Sequence, residues 1–314
     1  MRVSDIGGQA VIEGVMMRSP KTSAVAVRRY DGEIIVKRDD VGSIRERYKF
    51  LKFPILRGVV ALVETLVLGI KTLSFSANVA MEEEGSKEQI SPVAMFLTIA
   101  FAFGMAMLFF VFLPLGITQV LKRPLTFIGE SSLSFNLVDG LLRIAFFLAY
   151  IWGISMLKDI RRIFEYHGAE HKTIYAYENG DELTVENAKK YSTLHPRCGT
   201  SFLLMVMVIS ILVFSLVKGS APFWMKLASR IVLVPLIAGL SFELLKFTAR
   251  KVDVPIVRVL IAPGLWLQKL TTRQPSDDQL EVAIRALKEV LGLTDTSGRE
   301  TAAENQGTAK VGAL

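Results

Sequence analysis

Histidine and cysteine are scarce in this chain, which has three histidines and one cysteine among 314 residues. A single cysteine cannot form an internal disulfide, which excludes a disulfide-stapled secreted protein. The net charge is +7, but no compact tract of lysine and arginine is interleaved with aromatic residues, so we expect no nucleic-acid partner. The first ten residues lack the apolar core of a cleavable signal peptide.

Apolar residues, by contrast, are abundant. They make up 51% of the chain, and the mean hydropathy of +0.40 is too high for an ordinary soluble protein. A membrane-crossing helix needs about 20 apolar residues. Four stretches meet this need and predict a mainly α, polytopic helical membrane protein with four transmembrane helices: Pro92–Gln119, Leu133–Leu157, Thr200–Val217 and Met225–Phe247.

A fifth apolar stretch, Ile55–Ala80, differs because charges recur along it. Arg57, Glu64 and Lys71 are seven residues apart and therefore lie along one side of a helix. Such a stripe favours a helix that lies in the membrane interface or packs against the bundle. A further transmembrane span is the alternative interpretation.

The placement of lysine and arginine predicts the orientation in the cell membrane. Basic residues are concentrated before Pro54, just after the second span and just after the fourth. We therefore expect both termini and the segment 158–199 to be cytoplasmic, with the lipid bilayer as the partner. A span over 55–80 would place the basic N-terminal region outside, which the rule disfavours.

Residues 1–54 predict a small cytoplasmic region with a β-hairpin. Ala24–Tyr30 and Glu33–Lys37 have strand character and flank Asp31-Gly32, a strong two-residue turn signal. The glycine-containing run 7–18 lacks the spacing of a phosphate-binding loop. It fits a strand and turn leading into the hairpin, and the alternative is that Glu13 or Arg18 lines a site.

The C-terminal part contains one interrupted apolar stretch and one amphipathic helix. Pro255–Leu270 is short, and Pro263-Gly264 is expected to break it, which favours an interfacial or re-entrant segment within a membrane domain spanning 92–270. A capping box of Ser276 and Gln279 opens an amphipathic helix over 275–292. The small and polar residues of 293–314 predict a disordered tail.

All the histidines and the cysteine fall between positions 167 and 198. His167 and His171 are four residues apart and share one face of a helix, and His195 and Cys198 follow as a second pair. Imidazole and thiolate are ligands that zinc and similar divalent transition metals prefer. The pattern predicts a metal site on the cytoplasmic hairpin 158–199.

Two kinds of metal site fit this pattern. Four protein ligands would close the site around a structural ion, whereas three would leave a position for water and make Glu170 a general base. Glu243, an ionisable residue inside the fourth span, is a second candidate catalytic residue. The favoured function is a zinc-dependent membrane enzyme, a hydrolase acting at the cytoplasmic surface. The alternatives are a non-enzymatic scaffold or transporter-like protein with a structural metal, and a metal-free polar hairpin.

Several runs resemble the YqhQ-like bacterial membrane proteins, a domain-of-unknown-function family described as predicted metal-dependent enzymes. The resemblance covers nearly the whole chain except the tail. It implies a bacterial inner-membrane protein with a metal site at His167, Glu170, His171, His195 and Cys198. The runs that carry it are GGQAVIEGVMMR at 7–18, HGAEHK at 167–172, HPRCGT at 195–200 and QPSDDQLEVAI at 274–284.

Overall fold

The computed structural model describes residues 6–81, 91–218, 221–251 and 254–293. The expected disordered tail lies outside these ranges from residue 294 onwards. In chain order the strands are β1 (Gly7–Val11), β2 (Gly14–Arg18), β3 (Thr22–Arg28) and β4 (Ile34–Asp40). The helices are α1 (Ile44–Arg47), α2 (Leu56–Met81), α3 (Pro92–Met107), α4 (Leu113–Leu121), α5 (Phe127–Glu130), α6 (Ser132–Ile154), α7 (Lys158–Asn179), α8 (Val185–Lys189), α9 (Gly199–Phe214), α10 (Phe223–Val232), α11 (Val234–Arg250), α12 (Pro255–Thr271) and α13 (Asp277–Leu291). A 3₁₀ turn, Lys49–Lys52, precedes α2, and a π-helical turn, Leu108–Phe112, joins α3 to α4.

The four strands form one antiparallel sheet in the order β1-β2-β3-β4. The predicted hairpin is confirmed as β3 and β4, and the run 7–18 supplies the preceding hairpin of β1 and β2. The expected two-residue turn is wrong, because Arg28 pairs with Ile34 and residues 29–33 connect the two strands. The hairpin of β1 and β2 bears out the interpretation of the run 7–18 as strand and turn. Glu13 lies in its turn at a φ of 51° and bonds to α7 through Arg162 and Tyr166.

The sheet has two apolar faces, because alternate residues of a strand point to opposite sides. Met17 and Ala26 lie on the face that packs against α7 and α13. Met16 and Val25 lie on the face that packs against α2. The sheet is therefore a middle layer between α2 and the pair α7–α13.

The predicted C-terminal helix is confirmed as α13, with the Ser276–Gln279 capping box at its start and Gly292 in a left-handed conformation at its end. Most of its apolar stripe is buried against the sheet and α7, and Leu280 and Leu287 have no exposed surface. The N-terminal and C-terminal segments thus share one core with the helix that carries the histidines.

Within the described parts of the chain, three helices are long and apolar enough to cross a membrane: Leu56–Ala80, Val93–Leu121 and Ser132–Ile154. A fourth is obtained if α10 and α11, which are bent by 46° relative to each other, count as one broken span. The span expected over 225–247 is therefore helical but broken, because α10 and α11 meet at an angle within it. Pro235 explains the break, because proline lacks an N–H and its ring clashes with the preceding turn, which disfavours continuing a helix through it.

Two other apolar segments also differ from expectation. The third expected span, Thr200–Val217, forms the 16-residue helix α9, which is shorter than a full crossing. The break expected at Pro263-Gly264 is wrong, because α12 runs through both residues. Gly264 lies directly against Ser201 of α9, so tertiary packing keeps this part of the helix in place while Pro263 faces outward.

Helix α2 packs against the bundle at its start and against the sheet along its later half. Gly58 lies against Phe242 of α11, and Phe75 contacts the sheet. Two of the three charges of its stripe are paired within the fold: Arg57 with Glu243, and Glu64 with Arg45. This packing agrees with the preferred interpretation of 55–80, while its length and composition also suit a span.

Candidate metal centre

Three ligand-type side chains meet where α7 passes the start of α9. His167 and His171 lie on one face of α7, and Cys198 is the residue immediately before α9. One ligand atom from each lies within 4.8 Å of the others. His167 Nε2 is 3.2 Å from Cys198 Sγ. The structure therefore gathers three of the four predicted ligands into one group.

Hydrogen bonds on the far side of each imidazole orient both rings towards the sulfur. The Nδ1–H of His167 donates to the Thr271 carbonyl at 2.8 Å, and that of His171 donates to the Thr193 carbonyl at 2.5 Å. Because a carbonyl only accepts, each Nε2 keeps its lone pair. Metal-binding histidines commonly hold their other nitrogen in this way.

One buried nitrogen of this group makes no well-formed hydrogen bond. Nε2 of His171 is enclosed and lacks a partner with good hydrogen-bond geometry. Burial lowers the pKa of this imidazole and favours its neutral form, while the nearby Cys198 side chain acts in the opposite direction. An unsatisfied buried acceptor is costly, and a metal ion would satisfy it. The donor set of two imidazoles and one thiol therefore fits a zinc-type ion.

Local sequence signals explain why the two arms of the site come together. Gly168 lets α7 approach the Arg273 carbonyl, because a Cβ at this position would collide with that backbone. Gly180 ends α7 with a φ of 80°, and the Thr184 side chain caps α8. The chain then returns along α7 and places Cys198 next to His167 and His171.

His195 lies beside this group but is not one of its three members. Its ring centroid is 5.6 Å from that of His171, and its Nε2 is 3.5 Å from Glu178 Oε2. Burial lowers the pKa of His195 to about 4, against an opposing effect of the Glu170 charge. Its role as a fourth ligand stays a prediction.

Glu170 is buried between α7 and the first strand. Its carboxylate accepts the backbone N–H of Gly8, and a Cβ at Gly8 would lie 2.8 Å from Glu170 Cγ. Burial raises the pKa of Glu170, and His167 and His195 act in the opposite direction. A raised pKa moves a carboxyl group towards the range in which it can both accept and donate a proton.

Glu243 lies in a different contact. Both of its carboxylate oxygens accept hydrogen bonds from Arg57 at the start of α2, one of them at 2.6 Å. The structure therefore ties Glu243 to α2. Its catalytic role stays a prediction.

Two side chains of the site were not anticipated. Gln268 of α12 is fully buried and hydrogen bonds to the backbone of His195. Glu178 pairs with Arg197 and approaches His195. Glu178 follows His171 by seven residues, so helical periodicity alone places it on the same face as the histidines. No local signal marks Gln268, which lies 73 residues away from His195 in the chain.

The fold and this site are those of a helical protein with a His/Cys group beside an apolar bundle. The chain belongs to the family described as protein of unknown function (DUF1385), whose model matches residues 53–293. It is 36% identical over 305 residues to "Uncharacterized protein YqhQ" of Bacillus subtilis (strain 168), with 91% of this chain and 92% of that protein covered. The resemblance found in the sequence is thereby confirmed. No solved structure matches the chain.

Proposed function

We propose that this protein is a metal-dependent integral membrane enzyme, a hydrolase that acts at the cytoplasmic membrane surface. The observation that carries the proposal is the convergence of His167 Nε2 and His171 Nε2 on Cys198 Sγ, with each Nδ1 held by a backbone carbonyl. This arrangement leaves three oriented ligands for a zinc or other divalent transition-metal ion.

Three protein ligands favour a catalytic site over a structural one. Structural zinc sites are filled by four protein ligands, whereas catalytic sites keep three and leave one position for water. A zinc-type ion at these residues would supply Lewis-acid activation of water and of a polarised substrate bond.

Glu170 is the residue that we assign to proton transfer. Its buried carboxylate lies one helical turn from His167 and is held in place by the Gly8 N–H. It would take a proton from the attacking water and return it to the leaving group. Because burial raises its pKa, the group can hold a proton between these two steps.

The membrane setting supports a substrate at the bilayer surface. Cys198 is the cap of the apolar helix α9, so the ligand group stands where the polar hairpin meets the apolar bundle. The distribution of lysine and arginine favours a cytoplasmic position for both termini and for 158–199.

One observation favours the non-enzymatic alternative, a scaffold or transporter-like protein with a structural metal. The His195 ring lies close to that of His171, and a rotation of its side chain could supply a fourth ligand. A closed four-ligand site would stabilise the hairpin without activating water.

The two functions are separated by measuring the metal and its ligands. We expect the full-length protein, purified in detergent without chelators, to contain one metal ion by mass spectrometry. X-ray absorption should show two nitrogens, one sulfur and one light solvent atom. Metal content should be lost in His167→Ala, His171→Ala and Cys198→Ala, and kept in His195→Gln.

Activity is tested with a panel of chromogenic esters, phosphodiesters and peptides. Glu170→Gln should keep the metal and lose about 100-fold or more of the metal-dependent hydrolysis, whereas Glu182→Gln, an exposed glutamate on the same hairpin, should behave as the wild type. Absence of a stoichiometric metal would overturn both metal functions. A three-nitrogen, one-sulfur site, with metal lost in His195→Gln and no effect of Glu170→Gln, would establish the structural alternative.

A further inference from the structure

A second polar cluster lies inside the helical bundle, between α6, α9 and α10. Asp139 Oδ2 accepts hydrogen bonds from Arg143 Nη2 at 3.0 Å and from Arg230 Nη2 at 2.9 Å. Arg230 also donates to Asn136 Oδ1 at 2.6 Å, and Arg143 donates to Ser210 Oγ at 3.2 Å. The charges therefore come from two helices that flank the apolar helix α9.

Positive charge is in excess in this cluster. Lys226 places its ammonium 3.7 Å from the Phe135 ring centroid, one turn before Arg230. Asp139, Arg230 and Lys226 are only 1%, 2% and 3% exposed. Three buried cations face one carboxylate, which leaves a formal excess of two positive charges in an apolar surrounding, and Lys122 adds a further positive charge near Lys226. Burying uncompensated charge costs several kcal/mol per ion, on the order of the stability of a small domain.

The cluster also contains unsatisfied polar atoms. Nε of Arg143 and Nε of Arg230 are buried donors without a hydrogen-bond partner, and Oδ1 of Asp139 is a buried acceptor without one. Both arginines donate to the same carboxylate oxygen of Asp139, Oδ2, and neither donates to Oδ1. Buried N–H donors without partners, in a site with excess positive charge, indicate a bound group that accepts hydrogen bonds from them.

The cluster lies beside a broken helix. Arg230 is three residues before the junction at Leu233, where α10 and α11 meet at 46°. Breaks in apolar helices are tolerated where they line a polar site, because the freed backbone groups need partners.

We propose that this cluster is an anion-binding site that takes a phosphate group. The guanidinium groups match the geometry of phosphate oxygens, and the ammonium of Lys226 adds a compact charge. A phosphate carries about −1 to −2 charges, which offsets the excess of the three cations. The group belongs either to free inorganic phosphate or to the headgroup of an anionic phospholipid, and these share one recognition chemistry.

The test uses the full-length protein, delipidated in detergent, with inorganic phosphate as the first probe. We expect a saturable rise in the unfolding temperature with phosphate, measured against chloride at equal ionic strength. Lys226→Met keeps the apolar contact with Phe135 and removes the charge, and it should weaken binding about tenfold or more. The control Lys218→Met removes an exposed lysine of the segment between α9 and α10 and should leave binding unchanged.

A second variant predicts a change in the opposite direction. Asp139→Asn removes the only carboxylate facing the cations among the described residues and should tighten phosphate binding at least threefold. A purely structural ion network predicts loss of stability without tighter binding. If Asp139→Asn does not fold, the comparison of Lys226→Met with Lys218→Met decides the question.

The source of the phosphate group is resolved in nanodiscs of phosphatidylglycerol or phosphatidylcholine, with retained lipid counted by native mass spectrometry. Selective retention of phosphatidylglycerol, with displacement by inorganic phosphate and loss in Lys226→Met, assigns the site to a lipid headgroup. Binding of inorganic phosphate alone assigns it to the free anion. Saturable binding of neither probe, or equal binding by the two lysine variants, overturns the proposal.

Discussion

The side-chain amide of Gln268 pairs with both backbone polar groups of His195. Its Oε1 accepts the His195 N–H at 2.7 Å, and its Nε2 donates to the His195 carbonyl at 2.8 Å. This contact joins α12 to the segment that carries Cys198, three residues further on. The position of the thiol therefore depends on a helix that contributes no ligand.

Replacing Gln268 by Leu should destabilise the protein and weaken the metal site. Two buried backbone groups would lose their partners, at a cost of about 1–3 kcal/mol each. Because the segment carrying Cys198 would no longer be held, we expect metal affinity to fall about tenfold. Denaturant unfolding and competitive chelation measure the two effects. Lys269→Ala, at the exposed neighbouring position, should change neither; equal loss in both variants would contradict this role of the amide.

Replacing Gly8 by Ala should affect Glu170 without removing a ligand. The new Cβ would lie 2.8 Å from both Glu170 Cγ and the Met16 carbonyl oxygen, so the strand or the glutamate must move, at a cost of about 1–3 kcal/mol. We expect retained metal and strongly reduced hydrolysis. Gly7→Ala is the matched control, because a Cβ there meets nothing within 4 Å.

The metal-free protein should lose stability in mild acid. The pKa of His195 falls from 6.5 to about 4 on burial, so between these pH values the unfolded chain binds a proton that the folded chain does not. The contribution of this group is therefore complete above pH 6.5 and is lost as the pH falls towards about 4, by up to about 1.4 kcal/mol per pH unit. Urea unfolding of chelated protein across this range measures the slope.

His195→Gln removes the titrating group and should reduce the slope of the unfolding free energy against pH between about 4 and 6.5. The buried His171, whose pKa is also lowered, contributes in the same direction and keeps a residual slope. A variant with the full wild-type slope would show that His195 does not titrate in this window.

The pair of Arg57 and Glu243 permits a test of the predicted catalytic role of Glu243. We expect Glu243→Gln to loosen the junction of α2 and α11, with a coupling to Arg57 of about 1–3 kcal/mol in a double-mutant cycle. The exchanged pair Arg57→Glu with Glu243→Arg should restore both stability and hydrolysis if Glu243 only anchors α2. Restored stability with hydrolysis still absent would support a catalytic role.

Local signals predicted those features that depend on neighbours in the chain. Asp31-Gly32, the Ser276–Gln279 box and the four-residue spacing of the histidines correctly predict a turn, a cap and a shared helix face. Gln268 and Gly8 contribute through contacts between segments distant in sequence. Their roles could not be predicted because neither residue carries a local pattern that differs from an ordinary helix or strand.

The apolar segments also combine features that local sequence predicts with features that depend on contacts between distant segments. Composition correctly located apolar helices at α3–α4, α6 and α9, but their length and continuity depend on proline positions and on packing. Pro235 breaks one segment, whereas Pro263 leaves another intact because Gly264 is held against Ser201. Identical residue types thus had opposite outcomes for reasons that lie in tertiary contacts.

The first strand, β1, contacts one helix on each of its faces, α7 on one side and α2 on the other. Gly8 lies against Glu170 of α7, while its neighbour Gln9 lies on the opposite face with its side-chain amide over Gly69 of α2. Only the thickness of a single strand separates α2 from the Glu170 side chain. A shift of α2 relative to α7 would therefore press on β1 from one side and reach the Glu170 carboxylate on the other.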